Sequence, residues 1–198
     1  MYPLVKRLHP ANWFSVLALL LLSATLAASE LPRDARGEHG MVASAHPLAS
    51  QIGVDILKSG GNAVDAAVAV GFALGVVEPN ASGLGGGGFM LIWLKERSLP
   101  VYIDFRGKAP SGTGPDLFEL DEEGDVVPDK NGFNPAVIGG KSVAVPGEVA
   151  GLLLAQEEFG RLSRRQVMQP AIDHAENGVV VSEVLSGLMT EHYDALSS

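Results

Sequence analysis

This chain of 198 residues contains no cysteine. It therefore holds no disulfide, no thiolate nucleophile, no thiolate-bound zinc and no iron–sulfur cluster. Basic residues are also few, since 14 Lys and Arg stand against 23 Asp and Glu and leave a formal net charge of −9. Because binding to nucleic acid requires a basic face that neutralises phosphates, we expect no nucleic-acid partner.

Apolar residues make up 46% of the chain, which is ordinary for a protein with a packed core. The length suits one domain or part of a larger one. Glycine is in excess, with 24 residues in 198 against a usual share of about 7%. This excess predicts many tight turns, or places where two backbone segments approach each other closely.

Residues 1–29 have the order of a secretory signal peptide: a cationic start, an uncharged apolar run and then small residues. The apolar run from Trp13 to Ala28 is shorter than the about 20 residues of a membrane span, although an uncleaved N-terminal anchor is the alternative. We predict cleavage near Ala28 or Ser29 and a mature domain over residues 30–198. The protein is then exported to the periplasm or the medium, with no membrane contact beyond the signal peptide.

Hydrophobic patterning and capping residues predict helices on both sides of a pair of strands. Asn62 is a suitable N-cap for a helix in which Asp65 lies in the first turn, where the helix dipole favours a carboxylate. The short spacing between two apolar strands predicts an antiparallel hairpin. The predicted strands cover 41–45, 89–94, 101–105 and 142–145; the predicted helices run from 47 to the glycines at 60 and 61, over 63–77, from 147 through 159, over 163–176 with a kink at Pro170, and over 182–196.

This order of elements is typical of an α+β fold, or of a layered αββα arrangement with antiparallel strands. Residues 107–139 are rich in Gly, Pro, Asp and Asn and predict a long loop with little regular structure. The sequence stops at Ser198 without a final strand, so we expect a truncated chain that is the N-terminal fragment of a larger domain.

The glycine-rich run of residues 83–88 (Gly-Leu-Gly-Gly-Gly-Gly) satisfies the dinucleotide pattern G-x-G-x-x-G. That pattern binds a pyrophosphate only between a preceding strand and a following helix, and here the predicted order is reversed. We therefore expect no nucleotide. The run instead predicts a close backbone approach or several residues with positive φ.

Asp104-Phe105-Arg106 closes the predicted hairpin, and strand alternation places Asp104 and Arg106 on one face. A guanidinium at this position can bind a carboxylate through two parallel hydrogen bonds. A structural salt bridge, with Asp104 itself as the partner, is the alternative and is favoured on spacing alone.

Other patterns of catalytic or metal-binding residues are absent. None of the histidines of the mature part has metal-ligand spacing, and no G-x-S-x-G nucleophile elbow occurs. His46, just before a predicted helix, is interpreted as a turn or packing residue. The acidic turn at 121–125 lacks the spacing of a calcium loop and is interpreted as a solvated loop.

Six segments together resemble the N-terminal part of the large subunit of γ-glutamyltranspeptidases, and the resemblance extends from Gly40 to about Leu185. Their order and spacing make the resemblance specific, although each segment alone would mean little. The segments are Met41–Ser50, Ile56–Ala67, Glu78-Pro79, Ser82–Phe89, Asp104–Arg106 with Ala109-Pro110, and Ser142–Gly147.

The resemblance implies the αββα sandwich of N-terminal-nucleophile hydrolases, incomplete in this chain. It implies an exported precursor that cuts itself into a large and a small subunit. The N-terminal Thr of the small subunit then attacks the γ-glutamyl amide of glutathione or another γ-glutamyl compound, and its α-amine serves as the base. The glutamyl group passes to water, an amino acid or a peptide. The resemblance implies neither a cofactor nor a metal.

One family residue carries over to this chain. Arg106 corresponds to the Arg that binds the α-carboxylate of the substrate, so the resemblance implies a substrate-binding role in place of the salt bridge. We assign no catalytic residue here, because the nucleophile is expected beyond residue 198 and the fragment alone should be inactive. The segment beginning at Thr190 resembles the Thr-Thr-His start of a small subunit only by coincidence, since it comes too early and lies in a predicted helix.

Two alternatives stay open. A cephalosporin or glutaryl acylase has the same fold and also takes an acyl group that carries a carboxylate. A non-catalytic, exported binding module that keeps the scaffold is an alternative of another class.

Overall fold

The structure, a computed structural model, describes residues 35–197. The chain divides into two compact units, Met1–His39 and Gly40–Ser198. In the first unit residues 35–39 form no helix or strand, and the predicted signal peptide lies outside the described residues. All elements named below belong to the second unit. None of the helices within residues 35–197 combines the length and the apolar character that a membrane crossing requires.

Two N-terminal helices begin where the sequence predicts. Helix α1 (Pro47–Lys58) begins after His46, whose Nδ1 accepts a hydrogen bond from the backbone N–H of Leu48 at 3.2 Å. Helix α2 (Ala63–Val77) begins with a capping box, in which Asn62 and Asp65 each accept a hydrogen bond from the backbone N–H of the other. The predicted starts of both helices and the predicted Asn62 cap are therefore confirmed, whereas the cap formed by His46 was not predicted.

Helix α2 is the centre of the core. It packs against α1, α3 (Glu148–Phe159) and α4 (Arg164–Asn177). A helix covered on several sides must be apolar around its whole circumference, and α2 has this composition. Its buried residues are Val64, Asp65, Ala66, Val68, Ala69, Val70, Phe72, Ala73 and Val77.

The predicted hairpin is confirmed, with strands β1 (Phe89–Leu94) and β2 (Leu99–Asp104) paired antiparallel. The register pairs Phe89 with Asp104, Leu91 with Tyr102 and Trp93 with Pro100. These residues share one face, and side chains on the opposite face pack against the helices. The packed face consists of Met90, Ile92, Leu94, Val101 and Ile103.

Two further predicted strands are wrong for the described part of the chain. Residues 41–45 pair with no strand, and 142–145 form only the end of a 3₁₀ turn (Gly140–Ser142) followed by one bridge between Val145 and Lys108. A strand exists only where its backbone groups pair with a neighbour. Residues 107–139 are irregular, as predicted.

The C-terminal helices agree with prediction except for one break. Helix α4 has Ser163 as its N-cap and continues past Pro170 to Asn177. The single helix predicted over 182–196 is two helices, α5 (Glu183–Glu191) and α6 (Tyr193–Ser197), separated at His192. Helices therefore pack on one face of a single hairpin in a mixed α+β arrangement.

A buried carboxylate joins the start of α2 to the turn between α3 and α4. Asp65 is fully buried and accepts hydrogen bonds from the backbone N–H groups of Arg161 at 2.9 Å and Leu162 at 3.3 Å, in addition to that of Asn62. The Asn62 side chain donates to the carbonyl of Phe159 at 2.6 Å. Asp65 is thus a tertiary anchor as well as a capping residue.

Candidate functional site

Arg106 directly follows the hairpin, and its guanidinium is available to a ligand. Its side chain is exposed and forms no ion pair within residues 35–197. The carboxylate of Asp104 instead accepts a hydrogen bond from the backbone N–H of Arg106 at 3.0 Å. The salt bridge favoured on spacing alone is therefore wrong for this structure. An exposed guanidinium with no acidic partner can bind a carboxylate.

The glycine-rich run lies against the backbone on both sides of Arg106. Phe105 N–H donates to the carbonyl of Gly88 at 3.0 Å, and Gly88 N–H donates back at 3.4 Å. A Cβ on Gly87 would lie 2.6 Å from both Gly107 N and Phe105 O, which no real side chain can do. The predicted close backbone approach is confirmed. The alternative is wrong, because no glycine of residues 83–88, all of them described, has positive φ.

The run does not form a nucleotide site. Its Gly86 carbonyl accepts hydrogen bonds from the backbone N–H groups of Gly147 at 3.0 Å and Glu148 at 3.1 Å, at the N-terminus of α3. These are the groups that a phosphate would need at a helix start. The protein's own carbonyl already occupies them, and a strand follows the run as predicted.

Glu148, the first residue of α3, has a perturbed carboxyl group beside this junction. Burial raises its pKa above the ordinary value, because a desolvated carboxylate is disfavoured. Its oxygens lie 3.7 and 3.8 Å from where Cβ atoms would stand on Gly71 and Gly88. The sequence analysis missed Glu148, since a Glu in the first turn of a helix is commonplace and only tertiary contacts bury it.

The other candidate residues take structural roles. His46, interpreted from the sequence as a turn or packing residue, caps α1. Asp121 accepts backbone hydrogen bonds from Glu123 and Asp125 within an exposed loop, as interpreted from the sequence. Thr190 lies within α5, where its hydroxyl donates to the carbonyl of Ser186 at 2.9 Å. Within residues 35–197 no group of three or more His, Asp and Glu side chains is placed to hold a metal.

Comparison with known proteins identifies relatives over the same part of the chain. The profile of the gamma-glutamyltranspeptidase family matches residues 49–198. A glutathione hydrolase proenzyme from Bacillus subtilis (strain 168) is 47% identical over 161 residues, covering 81% of this chain and 27% of the relative. The crystal structure of Helicobacter pylori gamma-glutamyltranspeptidase superposes with a TM-score of 0.74 at 40% identity, covering 82% of this chain and 45% of that chain.

A second kind of relative is similar over an equal length. An acylase ACY 1 proenzyme from Pseudomonas sp. (strain V22) is 44% identical over 162 residues, covering 81% of this chain and 28% of the relative.

The described residues form part of the N-terminal-nucleophile hydrolase fold, which is also the fold of cephalosporin acylase from Bacillus halodurans, a structure with a TM-score of 0.66 at 31% identity over 85% of this chain and 30% of that chain. The chain spans little more than a quarter of the length of the curated relatives it matches. Because the family profile covers most of the sequence and the identities approach one half, this chain belongs to the gamma-glutamyltranspeptidase family.

Proposed function

We propose that this chain is the N-terminal part of an exported glutathione hydrolase precursor, in which Arg106 binds the α-carboxylate of the γ-glutamyl donor. The observation that carries the proposal is the exposed guanidinium of Arg106, which has no ion-pair partner among the described residues and directly follows a packed strand. A bidentate contact there fixes one end of the glutamyl group and leaves the γ-carbonyl to be oriented toward a nucleophile.

The attacking group comes from a part of the protein that this chain does not contain. In the proposal it is the N-terminal Thr of a small subunit cut from the same precursor, with its free α-amine as the base. The two relatives named as proenzymes support such processing. Glutathione, other γ-glutamyl compounds and the small subunit are therefore the proposed partners, and this chain alone is expected to be inactive.

Export is proposed from residues 1–29, whose charge and hydropathy pattern is that of a signal peptide. Intact-mass analysis of protein recovered outside the cytoplasm is expected to find a chain that begins near Glu30. Exported protein that still begins at Met1 would contradict cleavage.

The role of Arg106 is tested in a protein of the relatives' length that contains this chain. Arg106→Lys keeps the positive charge but loses the planar fork, so KM for glutathione and for a γ-glutamyl anilide should rise at least about tenfold. Arg97→Lys, an exposed arginine in the hairpin turn, is the matched control and should leave KM unchanged. Unchanged kinetics in Arg106→Lys would remove this residue from the site.

The acylase relative favours a second candidate, an acylase that takes a glutaryl or similar acid-bearing acyl group. Both candidates use a carboxylate at the far end of the acyl group, so Arg106 fits either. Rates on glutathione and on a glutaryl amide separate them, because only the glutamyl donor carries an α-amine. A full-length, processed protein that turns over neither substrate would instead support a non-catalytic binding module.

A further inference from the structure

Phe105, the neighbour of Arg106, enters the core on the opposite face of the chain. Phe105 is half-buried and packs against the hydrophobic cluster of the helices. The chain after Arg106 enters the irregular loop of residues 107–139. An arginine at the boundary between a strand and such a loop has a defined direction only if the backbone is held on both sides.

The ring of Phe105 lies directly on glycine backbone. A Cβ on Gly151, in helix α3, would overlap the Cβ, Cγ and Cδ1 atoms of Phe105, and a Cβ on Gly88 would lie 3.0 Å from its Cε2 atom. A Cβ on Gly147 would overlap the carbonyl oxygen of Phe105. Three glycines from two distant segments therefore leave room for this one residue.

The backbone on either side of Arg106 is held equally closely. Phe105 exchanges hydrogen bonds with Gly88, and Gly87 allows no side chain against Phe105 O or Gly107 N. Lys108 then exchanges hydrogen bonds with Val145 at 3.1 and 2.8 Å. The segment that carries Arg106 thus follows the position of α3 and of the glycine-rich run, with little freedom of its own.

We propose that Phe105, packed on Gly88 and Gly151, is a positioning residue that sets the direction of the Arg106 guanidinium toward the donor carboxylate. This inference rests on the proposed function. It adds that donor affinity depends on the backbone of α3, although Gly151 itself touches no substrate.

The test uses Gly151→Ala in the full-length, processed protein. The new methyl group must displace the Phe105 ring and, with it, the backbone that carries Arg106. We expect KM for a γ-glutamyl anilide to rise about tenfold to a hundredfold, since displacements of about 1 Å can cost that much. The preference for this donor over its α-methyl ester should fall, because the ester offers Arg106 no carboxylate.

A matched control separates positioning from general loss of packing. Gly53→Ala, in helix α1, places a methyl group 2.7 Å from Val42 Cγ1 and 2.8 Å from Val70 Cγ2, so its nearest atoms belong to these two valines and not to Phe105. It should lower thermal stability and leave both KM and the acid-over-ester preference unchanged.

A double-mutant cycle decides whether Gly151 acts through Arg106. In an Arg106→Ala background, Gly151→Ala should change KM less than twofold. An undiminished rise in that background would overturn the inference while leaving the proposed function intact. If Arg106→Ala alone leaves KM unchanged, or if no γ-glutamyl donor is turned over, the proposed function fails first.

Phe105→Leu carries the same test if Gly151→Ala yields no folded protein. Leucine keeps the apolar contact but removes the ring, so KM should rise and the acid-over-ester preference should fall as in Gly151→Ala. Wild-type KM in Phe105→Leu would overturn the inference.

Discussion

The helical layer and the hairpin use their apolar residues in opposite ways. In the layer of α1–α4 the apolar side chains face one another, and Val68 and Val167 are fully buried. On the outer face of the hairpin Leu91 and Tyr102 are 74% and 60% exposed. An apolar sheet face of this kind is typical of a surface that packs against another layer. Most of the buried core lies in the helical layer, whereas the hairpin presents a face that the described residues do not cover.

The helical layer should be most sensitive at its buried carboxylate. Asp65→Ala removes the acceptor of backbone N–H groups from Asn62, Arg161 and Leu162 and should lower the free energy of unfolding by about 3 kcal/mol. Asp121→Ala is the control, since Asp121 also accepts two backbone hydrogen bonds but in an exposed loop, where water replaces them. Denaturant unfolding measures both variants, and equal losses would contradict the anchoring role of Asp65.

The tight packing of the layer is measured by the same substitution at two glycines. Gly53→Ala forces a methyl group against Val42 and Val70 and should cost about 1–3 kcal/mol. Gly187→Ala in α5 meets no atom within 4 Å and should gain about 0.5–1 kcal/mol of helix stability. Thermal unfolding that gives the two variants the same sign of change would refute the contrast between packed and open regions.

The outer face of the hairpin should make the isolated chain associate with itself. Phe89 and Tyr102 stack on this face with ring centroids 5.9 Å apart, beside exposed Leu91 and Trp93. In residues 30–198 alone, Leu91→Lys should reduce light scattering severalfold, because a charge opposes burial of the face. Val180→Lys is the control, since Val180 is 92% exposed and belongs to the segment between α4 and α5. Equal improvement in both variants would point to net charge as the cause.

The smallest effect is expected at Glu148, where the two regions meet. Burial raises the pKa of the Glu148 carboxyl, because the folded protein favours the neutral form. The folded state is therefore most stable, with respect to this group, below the unfolded-state pKa. That stability is lost as the pH rises through the folded-state pKa. Glu148→Gln removes this loss. Its Tm relative to the parent protein should therefore increase between about pH 4 and pH 7.

Glu157→Gln, an exposed position on the same helix, is the control for Glu148. This substitution makes the same change of side chain on an exposed part of α3, so an equal change in Tm would show that burial of Glu148 is not the cause. A flat difference for Glu148→Gln would contradict the effect of burial.

Most of the local structure was predictable because its signals lie within a few residues of one another. Asn62 and Asp65 form their capping box within one helical turn, and the hairpin follows from two apolar runs separated by a short turn. The strands predicted over 41–45 and 142–145 were wrong. Apolar character alone favours a strand, but a strand forms only where a neighbouring strand pairs with its backbone groups.

The candidate site was predicted in part. Strand alternation correctly placed Arg106 opposite Phe105, but spacing alone favoured a salt bridge that Asp104 does not make. The substrate-binding role of Arg106 stays a prediction. Nothing near Glu148 in the sequence indicates that it contacts the glycine-rich run, and nothing near Gly151 indicates that it lies against Phe105, since these contacts join segments that are far apart along the chain.

The sequence by itself determined where most helices begin, the hairpin, the face that Asp104 and Arg106 share, the irregular loop and the family. The tertiary structure alone decided that Asp65 is buried and bonded to Arg161, which lies 96 residues later in the sequence. It also decided that Gly87 and Gly151 leave room for Phe105 and that Glu148 is desolvated. Caps and turns depend on hydrogen bonds between near neighbours, which the sequence displays directly. Burial and backbone contact depend on which distant segments meet, and only the folded chain brings those segments together.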